Sequence, residues 1–234
     1  GAHVRTRKVL TLVTALLVVG IIAFGAVRWL GPEGGPIDEG LRPGPSEADE
    51  PAWCPAVEVI SAPGTWESSK DDDPFNPQAN PASFMLSITQ PLQEQYDIND
   101  VRVWTLPYTA QFKSVQSRNE MSYDDSRDEG TERLKAELKF VADTCASTQF
   151  ILAGFSQGAV IVGDVANEIG REAGVVSPER IAGVVMIADG RRENAVGINP
   201  GVELGGVGAE IALHPLNRVV QGIMPGARKR GARE

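Results

Sequence analysis

Histidine and cysteine are scarce in this sequence of 234 residues, which contains two of each: His3, His214, Cys54 and Cys145. Neither cysteine belongs to a C-x-x-C pattern or lies near a histidine in the chain, so we expect no metal site. The glycines between residues 201 and 208 lack the flanking strand and helix and the Lys-Ser/Thr pair of a phosphate-binding loop. We therefore expect neither a metal nor a cofactor.

Positive charge is also in deficit, because 22 lysines and arginines are outnumbered by 31 aspartates and glutamates, which leaves a net charge of −9. Nucleic-acid binding depends on clustered basic side chains that contact phosphates. The small basic cluster from Arg228 to Arg233 lies at the chain end and is interpreted as a solvated tail. The charge balance thus argues against a nucleic-acid partner.

One uncharged run, residues 9–27, has about the length needed to cross a membrane. Arg5, Arg7 and Lys8 precede it, and such cations favour a cytoplasmic N-terminus with the rest of the chain outside. We predict that residues 1–30 form a single membrane-spanning signal-anchor. A cleaved signal peptide, which would release a secreted protein, is the alternative.

Residues 31–52 are rich in Gly, Pro, Glu and Asp and are predicted to be a flexible linker. The remaining residues, 53–234, form the predicted globular domain, which would then lie outside the cytoplasm. Export favours a disulfide between the two cysteines, whereas two separate buried thiols are the alternative.

Strands and helices alternate in the globular domain. Four strands are predicted, at Val57–Ser61, Val101–Thr105, Phe150–Ala153 and Ile181–Ala188. One helix presents Phe84, Met85, Ile88 and Leu92 on a face, and another carries a stripe of Leu134, Leu138, Val141 and Cys145. The capping box Ser126–Glu129 is predicted to open this second helix. The alternation predicts an α/β fold with a parallel sheet covered by helices on both faces.

Three polar residues follow strands of this predicted sheet: Thr65, Ser156 and Asp189. Because right-handed crossovers bring the C-terminal ends of parallel strands to one rim, we expect all three on the same side of the molecule. A candidate active site is therefore predicted at this rim.

The sequence Gly154-Phe155-Ser156-Gln157-Gly158 joins a buried strand to a helix, the context in which G-x-S-x-G forms a nucleophile elbow. Its two glycines avoid Cβ atoms where strand and helix nearly touch. The turn would expose the Ser156 hydroxyl, and the helix start would point free N–H groups at a developing negative charge. This pattern predicts a nucleophilic serine.

These motifs together resemble the cutinase family of serine esterases, a branch of the α/β hydrolases. The resemblance rests on the cysteine before the elbow strand, on Gly154–Ala159 and on Arg180–Gly183, and it runs from about Cys54 to about Pro225. Within the family, Ala62–Ser69 and Met186–Arg192 look like membrane-anchored members from mycolate-bearing actinobacteria. The implied activity is that of an envelope carboxylesterase acting on lipid esters or thioesters, with phospholipase A and acyl-thioesterase activities.

The resemblance also implies residue roles. Ser156 would be the nucleophile, and the backbone N–H of Gln157 would form half of the oxyanion hole. Thr65 would form the other half, and Cys54 would pair with Cys145.

The chain departs from the family pattern after the fourth strand. No second cysteine pair and no family-position Asp and His follow it, and His3 lies before the membrane segment. We expect the hydrolase domain to be incomplete at its C-terminus, without its acid and base and without a closing fifth strand. The alternative is a substitute pair, Asp189 and His214, although each has a structural explanation as well.

Two functions remain open at this point. The first is a serine esterase acting on lipid acyl groups at the outer face of the membrane. The second is an inactive fragment or pseudo-hydrolase that retains a lipid-binding groove, since an unactivated serine is a poor nucleophile.

Overall fold

A four-stranded parallel sheet lies at the centre of the computed structural model, which describes residues 50–193, 197–198 and 205–213. The strands are β1 (Val57–Ala62), β2 (Val101–Thr105), β3 (Gln149–Phe155) and β4 (Ile181–Ile187), in the order β2-β1-β3-β4. All three strand pairs are parallel, which confirms the predicted sheet. Every predicted strand is present, with ends shifted by at most two residues.

Helices cover both faces of the sheet. Helix α1 (Leu86–Gln95) lies on one face, while α2 (Tyr123–Thr144) and α3 (Gln157–Gly170) lie on the other. A 3₁₀ turn (Pro178–Arg180) precedes β4, and a short helix, α4 (Ala209–Leu213), follows it. The chain therefore has the three-layer α/β arrangement that the alternating pattern predicted.

The side chains of β1 show why two separate apolar layers form. Neighbouring residues of a strand point to opposite faces, so Val59 packs with Met85, Ile88 and Leu92 beside α1. Ile60 packs on the other face with the stripe of α2, whose Leu134, Leu138 and Val141 are fully buried as expected.

The start of α2 differs from the prediction. The helix begins at Tyr123, and its N-cap is Ser122, whose hydroxyl accepts a hydrogen bond from the Asp125 N–H at 3.1 Å. Ser126 lies one turn inside the helix and is fully buried, so its hydroxyl serves tertiary contacts instead. The capping box at Ser126–Glu129 was wrong because an equally good capping residue lies four positions earlier.

The predicted disulfide is present. Cys54, just before β1, is bonded to Cys145, the C-cap of α2, across 91 positions of sequence. The bond joins the segment that precedes β1 to the C-terminal end of α2, the helix that covers the sheet.

Strand β4 forms one edge of the sheet in the described part of the chain. Val184 and Met186 on this strand are 38% and 47% exposed. Such exposure is typical of a sheet edge, and no further strand pairs with β4 among the described residues.

Several sequence predictions lie outside the described residues: the membrane segment of residues 1–30, nearly all of the linker 31–52, and His214. No helix among the residues that are described is both long and apolar enough to cross a membrane.

A buried charge cluster lies beneath the sheet at the α2 face. Glu58 on β1 is fully buried and contacts the guanidinium of Arg102 on β2, which also lies 3.7 Å from the Glu137 carboxylate. The Arg102 guanidinium stacks over the Trp53 ring at 4.6 Å. Burial raises the pKa of Glu58 to about 7, and Arg102 only partly opposes this rise. Glu58 therefore takes up a proton more readily in the folded protein than in the unfolded chain.

This raised pKa predicts a pH-dependent stability. Between about pH 4.5 and 7, the folded state holds a proton on Glu58 that the unfolded chain has released, so the free energy of unfolding should fall as pH rises. The decline should be roughly 3 kcal/mol at most. Urea denaturation of wild type and Glu58→Gln at several pH values would measure it. A Glu58→Gln protein with the same slope as wild type would contradict the assignment, and Glu94→Gln, an exposed change, should leave the slope intact.

Candidate active site

Ser156 is the single residue between the end of β3 and the start of α3, and its backbone is strained. Its φ of 54° and ψ of −117° fall in a region that residues with a Cβ rarely adopt. The strain is held by the Ser156 N–H, which donates to the Ile187 carbonyl at 2.9 Å, and by the Ser156 carbonyl, which accepts from Ala159 and Val160. Such strain clusters at functional sites because the surroundings must enforce it. The half-buried Ser156 thus sits at a sharp strand-to-helix bend at the rim of the sheet.

Both glycines of the elbow are required by close backbone contacts. A Cβ on Gly154 would lie 2.3 Å from the Gly158 carbonyl oxygen. A Cβ on Gly158 would lie 2.0 Å from the Ala62 carbonyl oxygen and 2.5 Å from that of Pro63. The second contact also places the end of β1 directly against the start of α3. These contacts confirm the prediction that neither glycine position has room for a Cβ atom.

Gly158→Ala is expected to damage both folding and activity, because backbone atoms rather than flexible side chains occupy the space of the new methyl group. We expect a loss of about 1–3 kcal/mol in unfolding free energy, or more, and a large drop in esterase activity. Gly170→Ala is the matched control, since Gly170 ends the same helix and has open space around it. The control should be neutral or slightly stabilising. Equal behaviour of the two variants in thermal melting and ester hydrolysis would contradict this account.

The loop after β1 carries Thr65 to the elbow. The Tyr108 hydroxyl donates to the Pro63 carbonyl at 2.6 Å, the Trp66 N–H donates to the Ala110 carbonyl at 2.6 Å, and the Glu67 N–H donates to the Gly64 carbonyl at 3.0 Å. The Trp66 carbonyl accepts from Asn80 at 3.1 Å. Within the described part of the chain, the N–H and hydroxyl of half-buried Thr65 make no such hydrogen bond. The turn is thus fastened on both sides of Thr65.

Gln157 has a structural side chain. It is buried, accepts from the Ser126 hydroxyl at 3.3 Å, and donates to the carbonyls of Gln111 and Tyr123 at 3.3 and 3.4 Å. These contacts join the start of α3 to α2 and to the loop before it. As the first residue of α3, Gln157 has its backbone N–H at a helix N-terminus, where amides lack intrahelical partners.

Asp189 follows β4 on the predicted rim, but its described contacts belong to a turn. Its Oδ1 accepts from the Arg191 N–H at 2.9 Å, and its carbonyl accepts from the Arg192 N–H at 3.3 Å. Burial raises the pKa of the Asp189 carboxyl, and the Arg191 N–H partly opposes this. Its proposed partner His214 lies outside the described residues, so the substitute acid–base pair stays a prediction. The part of the chain that the structure describes contains no histidine.

A charged network that the sequence did not suggest lies beside Asp189. Arg191 donates from Nε to Glu210 at 2.7 Å and from Nη1 to Asp164 at 2.6 Å. The Tyr123 hydroxyl donates to the same Glu210 carboxylate at 2.5 Å. Burial, together with Glu210, raises the pKa of Tyr123, so this hydroxyl stays protonated as a donor. The network joins α4 to the start of α2 and to the middle of α3, and the Tyr123 carbonyl also accepts from the side chain of Gln157 beside the elbow.

Aromatic side chains border the elbow on its other side. The Phe84 ring packs on the Phe155 ring at 4.8 Å between centroids, and both side chains are half-buried. Trp66 is 59% exposed and donates from Nε1 to Glu120 at 2.9 Å.

Among the residues that the structure describes, no cluster of three or more His, Cys, Asp or Glu side chains could hold a metal ion.

Comparison with known proteins decides the family. The cutinase family profile matches residues 53–221, well over half of the chain. The chain belongs to the cutinase family. This cutinase-family protein is 54% identical over 233 residues to the carboxylesterase Culp6 homolog of Corynebacterium glutamicum, covering 97% of the chain and 75% of that relative.

Solved structures of esterases are more distant from this cutinase-family chain. The catalytic core domain of acetyl xylan esterase from Trichoderma reesei is 19% identical, with a TM-score of 0.44 over 59% of the chain and 66% of that structure. A cutinase-like protein from Cryptococcus sp. is 18% identical, with a TM-score of 0.42 over 75% of the chain and 73% of that structure.

Family membership confirms the resemblance seen in the motifs and makes the chain an esterase of the hydrolase class with an α/β-hydrolase fold. The individual roles of Ser156, Thr65 and Gln157 remain predictions, which the observed geometry accommodates. Sequence reasoning missed two features of the site, the Arg191–Glu210–Tyr123 network and the Glu67 contacts described below. Neither has a local pattern, since the partners lie far apart in the chain.

Proposed function

We propose that this cutinase-family esterase hydrolyses lipid acyl esters with Ser156 as its nucleophile. The observation that carries the proposal is the position of Ser156, alone between β3 and α3 with a strained backbone and with the fastened Thr65 loop against the same helix start. A serine that only connected a strand to a helix would need no such strain.

The chemistry follows from this geometry. A general base removes the Ser156 proton while Oγ attacks the ester carbonyl, and the electron pair of the C=O bond moves onto oxygen. The proposed donors to this oxyanion are the Gln157 N–H and the N–H or hydroxyl of Thr65. Each donor of this kind typically contributes ~2.7–4 kcal/mol of transition-state stabilisation. Collapse of the intermediate expels the alcohol with a proton, and water then cleaves the acyl-serine.

Two sources remain for the general base. His214, which follows α4, is one of them, because the Glu210 network holds α4 close to the elbow. A histidine at the position that the family resemblance implies is the other. If His214 is the base, His214→Ala should lower kcat by about 10²-fold or more, whereas an unchanged kcat would exclude His214 as the base.

Lipid substrates at the cell envelope are proposed on three grounds. The half-buried Phe84–Phe155 pair and the exposed Trp66 ring offer an apolar surface beside the nucleophile. Residues 9–27 are apolar enough to anchor the domain at a membrane. The corynebacterial relative is itself named a carboxylesterase. Glycerophospholipid vesicles and acyl thioesters, compared with short p-nitrophenyl esters, would rank the substrates.

The proposed location has its own test. Expressed in an actinobacterial host, the full-length protein should sediment with membranes and resist carbonate extraction, whereas a variant without residues 1–30 should not. Soluble full-length protein in the medium would indicate the cleaved-signal alternative.

An inactive lipid-binding pseudo-hydrolase is the second candidate, because the sequence contains two histidines, His3 and His214, and neither occupies the position that the family resemblance implies for the base. A fluorophosphonate probe separates the two candidates because it reacts with an activated serine. Labelling at Ser156, absent in Ser156→Ala, supports the esterase. A probe that leaves Ser156 unlabelled while the protein still binds lipid vesicles would support the pseudo-hydrolase.

A further inference from the structure

We infer that Glu67 is a positioning residue, which holds the Thr65 loop in register with Ser156. This inference rests on the proposed function, since it gives Glu67 a role in arranging the oxyanion hole. Glu67 itself would touch neither the substrate nor the reacting atoms.

The Glu67 carboxylate joins two separate segments. Its Oε2 accepts from the Gly64 N–H at 3.1 Å and from the Ser83 hydroxyl at 3.2 Å, and its Oε1 accepts from the Phe84 N–H at 3.0 Å. Gly64 belongs to the Thr65 loop, whereas Ser83 and Phe84 immediately precede α1. One half-buried carboxylate therefore connects the loop after β1 to the chain that enters α1.

Both segments bear on the residue next to the nucleophile. A Cβ on Gly64 would lie 2.8 Å from Cδ1 of Phe155, so the loop already touches that ring. The Phe84 ring also packs on Phe155, at 4.8 Å between ring centroids. Phe155 directly precedes Ser156. Glu67 therefore links the loop to the segment before α1, and both of these contact the elbow at Phe155.

Two features indicate that these contacts position Thr65 in particular. The loop residues on either side of Thr65 are hydrogen-bonded, and Trp66 has a φ of 63°, which a non-glycine residue adopts only when its surroundings enforce it. Without the Glu67 carboxylate, the N–H of Gly64, one residue before Thr65, would lose its acceptor. A displacement of about 1 Å can cost roughly 10²-fold in rate.

Glutamine is a poor replacement although it has the same size. One of its two acceptor oxygens becomes an NH₂ group, so the donors Gly64, Ser83 and Phe84 would compete for a single oxygen. One backbone N–H would then face another donor. The charge that the two amides and the hydroxyl stabilise would also be lost.

The test compares full-length wild type, Glu67→Gln, Glu94→Gln and Ser156→Ala on p-nitrophenyl butyrate. Glu67→Gln should lower kcat by about 10- to 100-fold and change KM by less than about 2-fold. The Ki of an alkyl trifluoromethyl ketone, whose serine adduct carries the oxyanion, should rise by the same factor as kcat falls. A purely structural role would lower the melting temperature without this matched shift. Glu94, exposed on α1, is the control and should change none of these values.

The outcomes separate the inference from the proposed function. Unchanged kcat and Ki in Glu67→Gln, or a rise in KM alone, would overturn the positioning role while Ser156→Ala still abolished activity. Activity in Ser156→Ala would instead overturn the proposed function. If Glu67→Gln does not fold, Ser83→Ala removes a single bond to the same carboxylate and should lower kcat by about 3-fold at constant KM. An unchanged kcat in that variant would equally refute the role.

Discussion

Ser156→Ala is expected to lower kcat for ester hydrolysis by about 10⁴- to 10⁶-fold, the largest effect of any substitution in this chain. The residue removed is the proposed nucleophile, and neither neighbouring residue could replace it: Phe155 has no nucleophile, and the Gln157 side chain is buried in contacts with α2. The measurement is steady-state hydrolysis of p-nitrophenyl butyrate by the full-length protein.

A second serine provides the control for this experiment. Ser177 is exposed before the 3₁₀ turn that precedes β4, at the opposite end of that strand from the rim. Ser177→Ala should keep wild-type kcat and KM. A Ser156→Ala protein that retained more than a tenth of wild-type activity would show that the esterase reaction runs elsewhere in the molecule.

Loss of the disulfide is expected to have the largest effect on stability. Cys54→Ala/Cys145→Ala opens a covalent loop of 91 positions, and the chain-entropy model assigns about 4–5 kcal/mol to a loop of that length. Cys145 is fully buried behind α2 among core residues such as Leu138 and Val141. The double variant should therefore have a lower unfolding midpoint in urea, and the free energy of unfolding should fall by several kcal/mol.

A reducing agent distinguishes the covalent bond from the packing of the sulfur atoms. Dithiothreitol should destabilise wild type and leave the double variant unchanged. If the double variant proved as stable as oxidised wild type, the bond would contribute nothing to the folded state, contrary to expectation for so long a loop. Activity measured below the unfolding transition should survive in the double variant, since the disulfide lies at the end of the sheet opposite to Ser156.

Local sequence patterns predicted the strands, the buried face of α2 and the elbow of this protein. The strands followed from short apolar runs, the face of α2 from the spacing of Leu134, Leu138 and Val141, and the elbow from two glycines around Ser156. These features depend on residues that lie within a few positions of one another. Hydrophobic periodicity and turn motifs in the sequence therefore indicate them directly. The parallel sheet followed from the alternation of strands and helices.

The failures and omissions involve residues far apart in sequence. Ser126 has the spacing of a capping box, but tertiary contacts with Gln111 and Gln157 bury it inside α2. In the sequence, Glu67 has no feature that distinguishes it from other loop glutamates. Only the fold brings the N–H groups of Gly64 and Phe84 to its carboxylate. Glu58 and Glu210 likewise acquire their charged partners only across strands and helices.

The amino-acid sequence by itself determined the α/β architecture, the serine at a strand-to-helix bend and, through its motifs, membership of the cutinase family. The tertiary structure alone decided which contacts support the segments next to that serine: the hydrogen bonds that fasten the Thr65 loop, the carboxylate of Glu67 and the Glu210 network. The physical reason is that a turn or an amphipathic face is specified by adjacent residues. A hydrogen-bond donor, by contrast, finds its acceptor only after the sheet has brought distant segments together.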